Sequence, residues 1–204
     1  SNILILGNSG QGKSYLLKLL LVSLRQAGKS LITLDAEQEY EDLCHNLGGC
    51  YIDLMSGKYI INPLQPKRWS DENEIPDEDA PETFRKSTML SQHISYLKDF
   101  FRVYKDLNDA QIDALEILLT RLYGKFGIHD NTDYDKLKAE DYPIMADLYS
   151  IVEDEYMKYE KGTKSLFTED LLRELCLGLN SMCIGAESKF FKGHTNISDD
   201  KFIC

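Results

Sequence analysis

Residues 7–14 read Gly-Asn-Ser-Gly-Gln-Gly-Lys-Ser, between the apolar run 2–6 and a leucine-rich stretch that reaches about Ala27. Three glycines in eight positions let backbone N–H groups crowd around a polyphosphate, and a helix opening at Gly12 adds its positive dipole end. Lys13 would reach the β- and γ-phosphates, and the Ser14 hydroxyl would sit on Mg²⁺. The candidate nucleotide-binding residues are therefore Gly7, Asn8, Ser9, Gly10, Gln11, Gly12, Lys13, Ser14 and Tyr15, with ATP and Mg²⁺ as the implied substrate and ion. An apolar run before this motif and a helix-former after it is the context that separates a phosphate loop from a chance match.

Hydrolysis needs more than the loop: an acidic residue at a strand end to hold Mg²⁺ and a group to orient water. The apolar run followed by acids is Leu31-Ile32-Thr33-Leu34-Asp35-Ala36-Glu37, continuing to Glu39-Tyr40. Three roles stay open for these acids. Asp35 could ligate Mg²⁺ beside Ser14. Asp35, Glu37 or Glu39 could position water or contact a neighbouring subunit. All three could instead cap the following helix and solvate the strand end. Lys13, Glu37 and Glu39 are the candidate catalytic residues.

Strand and helix signals alternate at short spacing over residues 1–64, which predicts βαβ units and a parallel sheet. The expected strands are Ile3–Leu6, Ser30–Leu34 and Tyr51–Leu54. A helix is expected from Gly12 to Ala27 with Gly28 as its stop, and a shorter one from Glu39 to Leu47 ending at Gly48-Gly49. Tyr59-Ile60-Ile61 is a short apolar piece halted by Asn62-Pro63. Residues 65–80 turn to Pro, Asp, Glu and Asn with one tryptophan, a composition that predicts a mobile linker. Trp69 reads as a hydrophobic plug rather than a stacking platform for a base.

From 81 to 186 the period is helical. One helix is expected from Pro81 to about Tyr104, with Leu90, Ile94, Leu97 and Phe101 on one face. Asn108 with Gln111 makes a capping pair for a second, striped by Ile112, Leu115, Leu118, Leu119 and Leu122. A third runs from Ile144 to about Tyr159, with Asp147, Glu153, Asp154 and Glu155 on its exposed side. Thr168 caps a fourth that carries Leu171, Leu172, Leu175 and Leu179 and runs to about Met182. Four helices with no strand between them predict an all-α bundle inserted into the α/β domain, and residues 187–204 then return to the sheet.

The chain has 204 residues and a net charge of -11, nearly all of the excess acid lying beyond about Ser70. That balance argues against a surface that grips nucleic acid throughout. Lys67-Arg68, or Lys189 to Lys192 with Phe190 and Phe191, could still form a small strand-binding lip, though solvated lysines beside buried aromatics is the simpler reading. Five cysteines without a C-x-x-C pair fit a reduced, intracellular chain and give no zinc spacing. No apolar run reaches the ~18 residues a membrane span requires.

The ordered set GNSGQGKS, LDAEQEY, LGGCYIDL, INPL and FFKGHTNI resembles the ATPase domain of conjugal-transfer and type IV secretion proteins of the TraC and CagE type. Asp35-Ala36-Glu37-Gln38-Glu39-Tyr40 matches that family's D-x-E-x-E-Y, Ile61-Asn62-Pro63 its I-N-P, and Gly193-His194-Thr195-Asn196 its G-x-T-N. The resemblance implies a RecA-like P-loop NTPase fold and an oligomeric, often hexameric, ATPase at the cytoplasmic face of the inner or plasma membrane. Such an ATPase powers substrate transfer or pilus assembly with other secretion components, with contact to DNA or a relaxase as a further question. It also implies that the Walker B acids, the glutamine motif and the arginine finger follow Gly193–Asn196, so the 204 residues are expected to form an incomplete domain. Two other functions fit the residues: a nucleotide-dependent docking module without turnover, and a small P-loop kinase or GTPase using Asp35 for magnesium. The second lacks a base-recognition motif and an arginine lid.

Overall fold

The computed structural model describes residues 3–66, 88–162, 164–197 and 202–204. The chain divides into two compact units, Ser1–Tyr59 with Ile197–Cys204, and Ile60–Asn196.

The first unit begins with helix α1 (Lys13–Gln26), which ends at Ala27 and a left-handed Gly28 whose N–H donates to the Arg25 carbonyl at 3.0 Å. Strand β1 (Leu31–Ile32) and helix α2 (Glu41–Asn46) follow. The last residues return as β2 (Phe202–Ile203), parallel to β1 with Leu31 opposite Phe202 and Ile32 opposite Ile203. On its other side β2 meets Cys50 in a parallel bridge. The Cys50 N–H donates to the Phe202 carbonyl at 2.8 Å, the Cys204 N–H to the Cys50 carbonyl at 3.0 Å, and the Ile52 N–H to the Cys204 carbonyl at 2.7 Å. Residues 202–204 are thus the middle rung between two segments more than 140 positions away in sequence. Leu21, Leu31, Cys44, Phe202 and Cys204 form the core beneath this ladder.

Two strand expectations need correction. Ile3, Leu4 and Leu6 are 75%, 81% and 81% exposed and form no strand; an apolar run becomes a strand only with a neighbour to take its backbone bonds, and none pairs with it among the described residues. Tyr51–Leu54 is not a strand either. The Asp53 carboxylate accepts the Met55 N–H at 2.8 Å and turns the chain into a 3₁₀ turn, Leu54–Ser56. Tyr59, Ile60 and Ile61 are also non-strand, and the last two are bonded within the second unit instead.

That unit holds helices α3 (Met89–Lys105), α4 (Asp109–Lys125), α5 (Met145–Glu160) and α6 (Glu169–Cys183). The first starts later than Pro81: Thr88 is its N-cap, accepting the Ser91 N–H. Pro81 itself, the linker beyond Pro66, and Trp69 with Lys67-Arg68 lie outside the described residues. The expected α4 cap is reciprocal, the Asn108 side chain accepting from the Gln111 N–H at 3.0 Å and the Gln111 side chain from the Asn108 N–H at 2.9 Å. Thr168 caps α6. The expected apolar stripes of α3, α4 and α6 all meet in one core, with Leu64, Leu148 and Val152 among its fully buried members.

Glu155 departs from expectation. It is buried rather than solvated, and its carboxylate is held by Lys158, by Arg121 at 3.3 Å and by the Ser165 hydroxyl at 2.6 Å. Burial pushes its acidity down, but these partners outweigh that and keep its pKa below the usual carboxylate value.

The I-N-P and G-x-T-N segments are bonded to each other. The Ile60 N–H donates to the Asn196 side chain at 2.8 Å, the Asn62 N–H to the Thr195 hydroxyl at 3.0 Å, and the Ile61 N–H to the Phe190 carbonyl at 3.1 Å. Asn62, 3% exposed, also donates its amide to the Pro143 carbonyl and accepts the Leu64 N–H, while the Tyr123 hydroxyl donates to the Leu64 carbonyl at 2.6 Å. The two ends of the helical unit are therefore laced together at one place.

Candidate nucleotide site

The site lies wholly in the first unit. Gly10 has φ +79° and Gly12 φ +81°, a left-handed backbone that side chains other than glycine rarely adopt. A Cβ placed on either would meet nothing within 4 Å, so the space above the turn is open. Gly12 is the N-cap of α1, with no acid in the first turn of that helix; the Leu16 N–H closes onto the Gly12 carbonyl at 2.9 Å. The free N–H groups at this helix start give an unopposed positive end.

Lys13 folds back, its Nζ donating to the Asn8 carbonyl at 2.7 Å. The aliphatic part of its side chain passes within ordinary contact distance of the position a Cβ on Gly7 would take. Gln11 is tied to Asn8 through its N–H. The ammonium is thus held by a single neutral acceptor and remains able to take an anion.

Ser9, Gly10, Gly12, Lys13, Ser14 and Tyr15 line a cleft of about 580 Å³, and Glu37 and Glu39 complete its wall. Of the residues expected to do chemistry, the structure gathers Lys13, Ser14, Glu37 and Glu39. It leaves out Asp35. Both oxygens of Asp35 are taken by backbone donors, Oδ1 by the Glu39 N–H at 3.0 Å and Oδ2 by the Tyr40 N–H at 2.9 Å, and Asp35 does not line the cleft. These bonds close the turn that precedes α2; the helix itself starts at Glu41, and its N-cap residue, Tyr40, has no side-chain cap hydrogen bond.

Three residues near the site carry roles that the sequence did not assign. Tyr40 stands at the N-cap of α2, and the Lys18 ammonium of α1 lies 5.3 Å from the centre of its ring, a cation–π contact. Gln38 has φ +57°. The only sequence signal was the Glu39-Tyr40 pair ending the D-x-E-x-E-Y match.

A polyphosphate with its divalent ion fits this set: left-handed glycines without side chains above them, an unpaired helix start, one available ammonium and the hydroxyls of Ser9, Ser14 and Tyr15, faced by two carboxylates that would repel a bare phosphate. Such a glycine turn feeding a helix beside a parallel ladder is the arrangement of a phosphate-binding loop. Residues 1–175 match the family described as "Helicase HerA, central domain", and the chain belongs to that family. It is also similar to the solved structure of VirB4 of Thermoanaerobacter pseudethanolicus, with a TM-score of 0.75 and 29% identity over 97% of this chain and 47% of that one. The chain thus spans about half the length of that relative. No curated protein matches it. The VirB4 likeness bears out the resemblance to TraC- and CagE-type transfer ATPases.

Proposed function

We propose that this chain is the ATP-binding part of a motor ATPase that powers type IV secretion, conjugative DNA transfer or pilus assembly, working as a homo-oligomer at the cytoplasmic face of a membrane. The observation that carries the reading is the left-handed Gly10–Gly12 turn opening α1 with Lys13 drawn back over it. The two further supports are family membership and the likeness to VirB4. In this reading the helical unit is an insertion in a RecA-like domain. Among the described residues no helix is long and apolar enough to cross a membrane.

The residues divide the work. The N–H groups of residues 9–14 cradle the phosphates, and the Lys13 ammonium leaves the Asn8 carbonyl to bind phosphate oxygens. Ser14 would hold the magnesium ion, which would offset the phosphate charge. Glu37 and Glu39 face the loop as candidates for orienting the attacking water, and Tyr15 lies at the cleft's rim.

The test is Lys13→Ala. A charged hydrogen bond contributes about 1.5–3 kcal/mol, so calorimetry should find MgATP binding weakened roughly 10- to 100-fold, and the full-length protein should lose hydrolysis. Hydrolysis at the unmodified rate by that full-length variant would end the assignment.

A further inference from the structure

The acidic loop between β1 and α2 has to place two carboxylates opposite a phosphate loop it does not touch in sequence. Left to themselves, Glu37 and Glu39 would repel each other and any phosphate nearby, and a solvated loop of this composition would swing them into water. Three features oppose that. Asp35 accepts the N–H groups of both Glu39 and Tyr40, which closes residues 35–40 into a tight turn. Gln38 takes a left-handed conformation inside that turn, so the chain reverses between Glu37 and Glu39, and both line the cleft. The Tyr40 ring, one residue on, lies under the Lys18 ammonium. Lys18 stands four positions beyond Ser14 on α1, one helical turn along, so the loop's end is fastened to the same helix that presents Lys13 and Ser14.

We propose that Asp35 is a positioning residue. Its carboxylate shapes the 35–40 turn so that Glu37 and Glu39 face Lys13 and Ser14, and it acts on the reaction only through those two glutamates. The inference rests on the ATPase reading above. It assigns Asp35 to the loop and takes it away from the metal.

The experiment uses the full-length protein with MgATP. Asp35→Ala removes both acceptors, and Asp35→Asn keeps one acceptor oxygen, so the second variant reports even if the first fails to fold. Asp35→Ala should lower kcat about tenfold or more and change KM less than about twofold, since the phosphate loop is untouched. Asp35→Asn should fall between Asp35→Ala and the unmodified protein. In a Glu37→Gln/Glu39→Gln background, adding either Asp35 change should lower kcat less than about twofold, because the groups it positions are already gone. The magnesium concentration for half-maximal rate should not move with Asp35→Asn. An equal loss of kcat in both backgrounds would overturn the proposal, as would a magnesium requirement raised about tenfold by Asp35→Asn, the mark of a role at the metal. Lys13→Ala is run in parallel. If it hydrolyses normally, the ATPase reading fails, whereas normal loss with Lys13→Ala and independent loss with Asp35→Ala removes only the positioning role.

Discussion

At the scale of single residues, the site depends on backbone states that only certain side chains permit. Gly10 and Gly12 sit in the left-handed region where glycine is at ease. Gln38 sits there without that freedom, at φ +57°, a conformation that costs a residue bearing a Cβ about 1–2 kcal/mol. The two bonds that Asp35 accepts across the turn, from the Glu39 and Tyr40 N–H groups, offset it. A β-branched residue is the least able to follow. Gln38→Val should lower the unfolding free energy by about 1–2 kcal/mol, while Gln38→Gly should leave it unchanged or raise it by up to about 1 kcal/mol. Urea denaturation of the two variants beside the unmodified chain reads the difference; equal midpoints for both would show that the turn relaxes at no cost. Nothing in the composition of residues 35–39 announces this. The acids look alike in sequence, and which of them closes the turn and which faces the cleft depends on where two N–H groups point.

Elements tell a different story about legibility. The helices of the second unit were readable because their signals are local: Asn108 with Gln111, Thr168, and leucines at helical spacing need only a few neighbours. Glu155 was misread because nothing within its own helix reveals Arg121 and Ser165 approaching from elsewhere. Strands fared worst. The partner that turns Leu31-Ile32 into a strand is Phe202-Ile203, and no window of sequence contains both. Gly49 shows how close that ladder is packed. A Cβ there would come within 2.8 Å of the Cys44 Sγ and the Phe202 carbonyl oxygen, and 2.9 Å of the Phe202 Cβ, none of which can yield cheaply. Its neighbour Gly48 has a different reason to be glycine, φ +66°. Gly49→Ala should therefore destabilise the first unit by about 1–3 kcal/mol and push residues 202–204 off the Cys50 backbone. Amide exchange at Cys50 and Ile52 should speed up, with exchange in α4 unaltered. Unchanged protection at Cys50 would mean that the strand end shifts to make room.

On the scale of the whole molecule, charge and burial set how stability responds to pH, and one histidine in the second unit dominates the range just below neutrality. His93 is 9% exposed, stacked on the Tyr96 ring at 5.9 Å and edge-on to Tyr123 at 6.3 Å. Neither ring supplies a carboxylate to hold a proton on the imidazole. Burial drives its pKa from 6.5 down to about 4, against the opposing pull of hydrogen bonding to the Pro63 and Leu64 backbone. Between those two values the unfolded chain binds a proton that the folded chain refuses, so stability falls as pH drops below about 6.5 and the loss is complete near pH 4. The full shift corresponds to at most about 3 kcal/mol. Glu155 adds a loss of the same sign, but only lower: its depressed pKa contributes stability that persists until pH falls through the folded value, beneath the ordinary 4.5. Urea midpoints followed by helical circular dichroism, which the four helices of this unit dominate, should thus decline steadily from pH 7 to pH 5. His93→Gln should be less stable at pH 7 yet nearly flat over the same interval, because the titrating ring is gone. A parallel decline in both proteins would show that His93 is not the sensitive group.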